Sequence, residues 1–347
     1  MDIQWINQKN IDRITKGKEV FVYGCGSLGK VTCKWLDRNG CRRHSFCVDR
    51  EYLSEGLLPT DECFRRVNDE RAICIYAIGE ADAFKTFVGR NEIPIVYAVF
   101  DPFEFWIFDE ADYREHLNEI NEARSLLADE RSRRTFDGYI RAKRECDGRL
   151  SAENADYDGK YFNELTKNLK NGAYVDCGAY IGDTIDLFRS FYGIDRRKIY
   201  AFEPDSASFG ILEKKYGQDK DVHLINKGVW DSEGILRFRE GYGERSEVAC
   251  DGGDEIQVTS IDEAINEKVS FIKIGCGNAK RVLKGASTIV NRDMPVIAFF
   301  TLYSLRDLYE LPKIIKSLEN GMEHYNIFLR HNSYTTCGLL YYYAVPE

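Results

Sequence analysis

The sequence predicts an α/β protein made of two Rossmann-like domains, and three observations predict it. Two apolar runs of strand length each lead into a glycine-spaced turn and then a helical pattern, at Glu19–Gly29 and at Ala173–Asp183. Strand-like and helical segments alternate through both halves, which is the pattern of a parallel sheet with right-handed crossovers. The last two strand-like segments, Tyr325–Leu329 and Leu339–Val345, stand too close together for a crossover helix, so a terminal hairpin closes the second sheet.

Taken in order, Glu19–Tyr23 is the first strand, and a helix follows its turn to about Asn39. Strands at His44–Val48, Ala72–Ile78 and Ile93–Phe100 come next, with a helix at Glu80–Val88, so residues 1–112 form a small domain of about four strands. Residues 113–160 are dense in charge, with Leu117, Ile120, Leu126 and Leu127 at helical spacing, and read as a helical connector. Residues 161–347 carry strands at Ala173–Val175, Ile199–Phe202, Val222–Ile225, Val269–Ile274 and Val296–Leu302 before the terminal hairpin. Ile235–Phe238 and Ile256–Val258 read as an inserted hairpin. The aromatic segments around Phe103, Phe105, Trp106 and Phe108 and at Tyr341–Tyr343 read as core or interface rather than as a carbohydrate platform.

Composition narrows the function. A chain of 347 residues with 44% hydrophobic and 30% charged residues is an ordinary globular protein. Its net charge of −9 has no basic block beside it, which argues against nucleic-acid and membrane-surface partners. The 11 cysteines are scattered, several inside apolar strands (Cys47, Cys74, Cys177), and no two form a CxxC pair. Reduced thiols, no metal site and a cytoplasmic location are expected. The start of the chain is polar, unlike a signal peptide, and no apolar run approaches the roughly 20 residues of a membrane span. The oligomeric state stays open, a homo-oligomer included.

The first turn spells Gly24-x-Gly26-x-x-Gly29, with Asp49 about twenty residues on, the fingerprint of a dinucleotide site. A P-loop is rejected, because Val31 stands where Ser or Thr would hold magnesium. Two readings stay open: the loop binds NAD or another nucleotide, or its glycines serve packing alone. In the second turn, Asp176 leads Gly178, Ala179, Tyr180, Gly182 and Asp183, and a further strand ends in Glu203. A carboxylate there can accept from both hydroxyls of a ribose. Two glycines led by an acid suit S-adenosylmethionine better than a pyrophosphate dinucleotide.

From about Tyr161-Phe162 to its end the chain resembles the FkbM family of S-adenosylmethionine-dependent methyltransferases. Asp176–Asp183 and Ala201–Asp205 are similar to the family's first and ribose-binding motifs. Lys227–Asp231, Ser260–Glu263, Phe271–Ile274, Leu283–Ala286 and Leu329–His331 follow in the family's order. The resemblance implies a class I methyltransferase fold with a seven-stranded mixed sheet, and methyl transfer to a hydroxyl of a saccharide or other small metabolite. It implies backbone around Gly178–Tyr180 near the methionine portion, Glu203 on the ribose, and Trp230 and Asp231 near adenine. Asp176 and nearby carboxylates would help to hold the sulfonium.

The resemblance breaks at two strand ends. Where the family has a run such as Lys-x-Asp-x-Glu-Gly-Ala-Glu, this chain has Lys273-Ile274-Gly275-Cys276-Gly277-Asn278-Ala279-Lys280. Where it has a Tyr-His pair, this chain has Leu302-Tyr303. Lys273, Tyr303 and His331 are the remaining candidates for a general base. A cofactor-binding or regulatory protein that has lost transfer is the alternative. An oxidoreductase centred on the first domain ranks third, because no Tyr-x-x-x-Lys follows the strands that would need it.

Overall fold

Short β-branched and aromatic runs form the strands and glycines turn them, so the sheets follow the hydrophobic pattern closely. The computed structural model describes every residue except 1, 80, 103, 105, 156–158, 194–196, 240–246, 249–253, 277, 302–303 and 333–339. The chain divides into two compact units. One comprises Met1–Glu115, Arg134–Tyr157 and Arg330–Leu339; the other comprises His116–Arg133, Asp158–Leu329 and Leu340–Glu347.

The first unit holds six parallel strands: β1 (Asp2–Ile6), β2 (Glu19–Tyr23), β3 (His44–Val48), β4 (Leu58–Pro59), β5 (Ala72–Tyr76) and β6 (Ile95–Val99), in the order β1-β6-β5-β2-β3-β4. Two of these go beyond the expected four. The polar letters of Asp2–Ile6 hide an edge strand whose Trp5 and Ile6 are buried, and β4 is only two residues long. The order reverses between β2 and β5, the switch point at which open α/β sheets leave a crevice. One face packs Phe21, Tyr23, Cys47, Cys63, Phe64, Cys74 and Tyr76 together; the other packs Val20, Val22, Trp35, Leu36 and Ile75.

The second unit holds two sheets. Its strands are β7 (Ala173–Cys177), β8 (Ile199–Phe202), β9 (Val222–Ile225), β10 (Gly228–Val229), β11 (Gly234–Arg239), β12 (Glu247–Val248), β13 (Asp254–Thr259), β14 (Val269–Ile274), β15 (Val296–Thr301), β16 (Tyr325–His331, whose last two residues count with the first unit) and β17 (Leu340–Pro346). The large sheet runs β16-β17-β15-β14-β7-β8-β9, with β17 antiparallel to β15 and the middle strands parallel. This is the seven-stranded mixed sheet that the sequence predicts. The expected hairpin is part of a small sheet, β10-β13-β11-β12, in which β11 and β13 pair antiparallel.

Central β7 is buried along its whole length, as a parallel strand covered on both faces must be. Tyr174 stacks on Phe188 at 4.3 Å, with Phe162 edge-on to both. Tyr341, Tyr342 and Tyr343 are at most 3% exposed and belong to the core. Among the described residues no helix is long and apolar enough to cross a membrane.

Candidate functional site

The turn after β7 is built from left-handed backbone. Gly178, Tyr180 and Gly182 have φ of 82°, 50° and 85°. At Gly182 a side chain would fail twice, because the left-handed φ disfavours it and a Cβ would lie 2.5 Å from the Tyr216 ring. The N–H groups of Gly178 and Ala179 donate to the Phe202 carbonyl (3.0 and 2.9 Å), which fastens the turn to the end of β8. Glu203 follows directly and is 6% exposed. Its Oε2 accepts from the Tyr180 N–H at 2.8 Å and its Oε1 from the Asp205 N–H at 2.9 Å. Asn226 fixes the backbone there by donating Nδ2–H to the Glu203 carbonyl (2.8 Å). Burial pushes the Glu203 carboxyl up, and the two N–H donors only partly offset this. A carboxylate offers about four acceptor positions; two are filled here, and two remain for the hydroxyls of a ligand.

Asp49, in the corresponding place of the first unit, is saturated. Arg90 donates to both of its oxygens at 2.7 Å, the Tyr23 hydroxyl to Oδ2 at 2.8 Å and the Thr60 hydroxyl to Oδ1 at 3.1 Å. The Arg90 hydrogen bonds are the chief reason its carboxyl is held below the usual range. Two of the three glycines before it sit against neighbouring backbone. A Cβ on Gly29 would lie 2.0 Å from the Gly24 carbonyl oxygen, and one on Gly24 would lie 2.9 Å from that of Ala77. Gly26 meets nothing within 4 Å.

Beneath the second turn lies a buried ion pair. Asp176 is 0% exposed, takes the Lys273 ammonium on Oδ1 at 2.9 Å and the Thr184 hydroxyl on Oδ2 at 2.5 Å. Lys273 Nζ also donates to the Gly178 carbonyl at 2.6 Å and lies 5.3 Å from the centre of the Tyr161 ring. Burial works against the ammonium, but the charge and hydrogen bond of Asp176 win, so its pKa is raised. Asp183, at the start of the next helix, is exposed.

Beyond β10, the Trp230 N–H donates to the Thr259 carbonyl at 2.8 Å. Asp231 accepts from Arg281 at 2.6 Å and from Lys284 at 3.2 Å, and the Arg281 guanidinium lies 5.7 Å from the centre of the Trp230 ring. Arg281 and Lys284 are partners that the motif reading missed; their spacing of three on Ala279–Lys284 was the available signal. The second unit thus brings together Asp176, Gly178, Tyr180, Glu203 and Lys273, while Asp231 forms its own cluster with Arg281 and Lys284.

No family model matches the sequence, and no curated protein sequence matches it. Among solved structures, the chain is similar to methyltransferase FkbM from Methylobacillus flagellatus KT, at 18% identity and a TM-score of 0.60 over 97% of this chain and 92% of that one. It is also similar to an rRNA methylase from Streptococcus thermophilus, at 13% identity and a TM-score of 0.33 over 52% of this chain and 91% of that one. The fold is that of an FkbM methyltransferase. The likeness to the FkbM structure takes in nearly the whole chain, so the first unit is part of it as well as the second.

The departures from the FkbM pattern have physical partners. Lys280, in place of an acid, is clamped between Asp307 (2.9 Å) and Glu310 (2.6 Å) of the helix Leu305–Ser317. Gly275, in place of Asp, makes room for Lys273: a Cβ there would lie 2.5 Å from its Nζ. Gly285 keeps its motif letter because a Cβ would lie 2.2 Å from the Trp230 carbonyl oxygen. His331 is buried in the first unit, where its ring Nδ1 lies 3.1 Å from the Ser151 carbonyl oxygen and must therefore carry the proton. Tyr303 and Gly277 lie outside the described residues.

The donor set fits a nucleoside: a half-satisfied buried carboxylate at Glu203, beside a turn held open by left-handed backbone. It is less suited to the cationic part of S-adenosylmethionine, because Lys273 already answers Asp176. Among the described residues no group of three or more His, Cys, Asp or Glu side chains could hold a metal ion.

Proposed function

We propose that the chain is an S-adenosylmethionine-dependent methyltransferase acting on a hydroxyl of a saccharide or other small metabolite. The observation that carries the cofactor reading is Glu203, whose buried carboxylate is oriented by two backbone N–H groups and keeps two acceptor positions for vicinal hydroxyls. When bound, the cofactor supplies an electrophilic methyl group. The protein's part is to hold the nucleoside at Glu203 and the turn Gly178–Gly182. Lys273 keeps its proton against Asp176 and acts as a positioning group. Tyr303, two residues after the end of β15 in the sequence, is the remaining candidate for removing the acceptor's proton.

The acidic chain and the absence of a basic block favour a small acceptor over nucleic acid. The test is transfer of a labelled methyl group from S-adenosylmethionine to a panel of saccharides and hydroxylated metabolites. Labelled product that Tyr303→Phe reduces at least tenfold, with cofactor binding unchanged, supports the reading. Cofactor binding without transfer to any acceptor would favour the second reading, a cofactor-binding or regulatory protein, for which the answered charge of Asp176 speaks.

A further inference from the structure

One face of the first unit is basic. Residues 9–43 hold nine Lys and Arg against three Asp and Glu, within a chain of net charge −9. In the sequence these cations form no run longer than two, and folding is what gathers them. Ile11 and Ile14 of the helix α1 (Ile11–Thr15) pack in one cluster with Cys33, Trp35 and Leu36 of the helix α2 (Ser27–Arg38), against β2 and β5. The outer sides of both helices therefore face solvent together, with Arg13 and Lys16 on one and Lys30 and Lys34 on the other; the exposed Arg42 and Arg43 follow α2. Two of the three acids are taken, Glu19 by Arg66 and Asp37 by His44, and Arg38 is held by Glu104. The other eight cations are exposed and, among the described residues, pair with no acid. The opposite face of the same sheet, covered by the helix Thr60–Asn68, is balanced: Arg50, Arg66 and Arg71 each hold an acid.

An apolar tip stands beside this face. Glu104 Oε1 accepts from Trp35 Nε1 at 3.1 Å and from Gln8 Nε2 at 3.0 Å, and its Oε2 takes Arg38 at 3.0 Å, so the loop after β6 is tied to α2. Ile107, three residues on, is 81% exposed. We propose that this face docks the chain reversibly on an anionic phospholipid surface, with the cations of α1 and α2 meeting the head groups and Ile107 entering at the rim. Each exposed Lys or Arg is drawn to such a surface within a Debye length, about 8 Å at physiological salt, and many weak attractions add to one docking energy. Cations spread over two helices suit a plane of head groups, and an exposed isoleucine beside them finds apolar surroundings only in lipid. Residues 9–43 present no large exposed apolar or aromatic side chain on which bases could stack, which sets the face apart from a single-strand nucleic-acid site. A chain docked in this way works at a membrane surface rather than in bulk solution. The proposal does not depend on the reading of Glu203.

The experiment is flotation of the full chain with vesicles of phosphatidylcholine alone and of phosphatidylcholine with phosphatidylserine in equal parts. Wild type is expected to bind the anionic vesicles at least tenfold more tightly, and to lose that binding as salt is raised. The triple variant Lys30→Gln, Lys34→Gln, Arg42→Gln should weaken it at least tenfold. The triple variant Arg50→Gln, Arg65→Gln, Arg71→Gln changes the net charge equally away from this face and should leave binding within twofold. Ile107→Ser should weaken it at least threefold. All seven side chains are exposed, so the fold carries the variants. Absence of binding to the anionic vesicles, equal binding to both kinds, or equal losses from the two triple variants overturns the proposal. Binding to duplex RNA that is tighter than to the anionic vesicles and indifferent to Ile107→Ser overturns it as well, in favour of a nucleic-acid surface.

Discussion

The two glycine turns of this chain have nearly the same letters and opposite chemistry. Each follows a central parallel strand, opens a helix and is paired with an acid at the end of the neighbouring strand. At the first turn the acid is Asp49, and four side-chain hydrogen bonds fill it. At the second it is Glu203, whose carboxylate among the described residues accepts from two backbone N–H groups. Backbone donors orient a carboxylate and leave half of its capacity; an arginine fork with two hydroxyls uses all of it. A ribose-binding acid is therefore recognised by what its lone pairs still lack. The glycines differ in the same sense. Gly29 is required by neighbouring backbone alone, whereas Gly178 and Gly182 have left-handed φ that bends the second turn.

The comparison can be broken first at Gly29. A Cβ there collides with the backbone of Gly24, which cannot yield as a side chain can, so Gly29→Ala should cost about 3 kcal/mol in urea unfolding. Gly26→Ala should stay within about 0.5 kcal/mol. Equal effects would mean that the first turn is not built for packing. Next comes Asp49→Asn, expected to cost about 1–2 kcal/mol, because the pair with Arg90 is partly exposed. Its sign with pH is fixed by the depressed carboxyl of Asp49. Stability from this group is present above the ordinary aspartate range and lost as pH falls through the depressed value, so the variant should flatten the acid limb of stability against pH. Glu203, pushed up by burial, has the opposite sign: its contribution is present below the ordinary glutamate range and fades as pH rises through the raised value. A smaller effect than that of Asp49→Asn is expected of Lys280→Glu, which restores the family letter but sets a third acid beside Asp307 and Glu310. A loss of about 1 kcal/mol in thermal or urea unfolding is expected. A gain would show that the clamp on Leu305–Ser317 contributes nothing.

Much of the fold was legible because its strands are apolar runs punctuated by glycine. Every strand of the large sheet, and the antiparallel closure by β17, follows from that pattern. β1 was not legible, because two of its five letters are polar and the strand is short. At the site, Asp176 and Glu203 could be read from their place at strand ends. The partners of Asp49, Asp176 and Asp231 could not, since Arg90, Lys273 and Arg281 lie 41, 97 and 50 residues away in sequence. Distances of that order are bridged only by the folded sheet. The sequence also showed a lost acid at position 280 without showing that Lys280 pairs with Asp307 and Glu310.

The central claim is that the second turn holds a nucleoside through Glu203 while the first turn is closed at Asp49. The most direct test is calorimetric titration of wild type, Glu203→Gln and Asp49→Asn with S-adenosylhomocysteine and with NAD. Wild type should bind the thioether nucleoside and not NAD, Glu203→Gln should weaken that binding at least 100-fold, and Asp49→Asn should leave it within twofold. Binding of NAD that Asp49→Asn abolishes, or nucleoside binding indifferent to Glu203→Gln, would contradict the account.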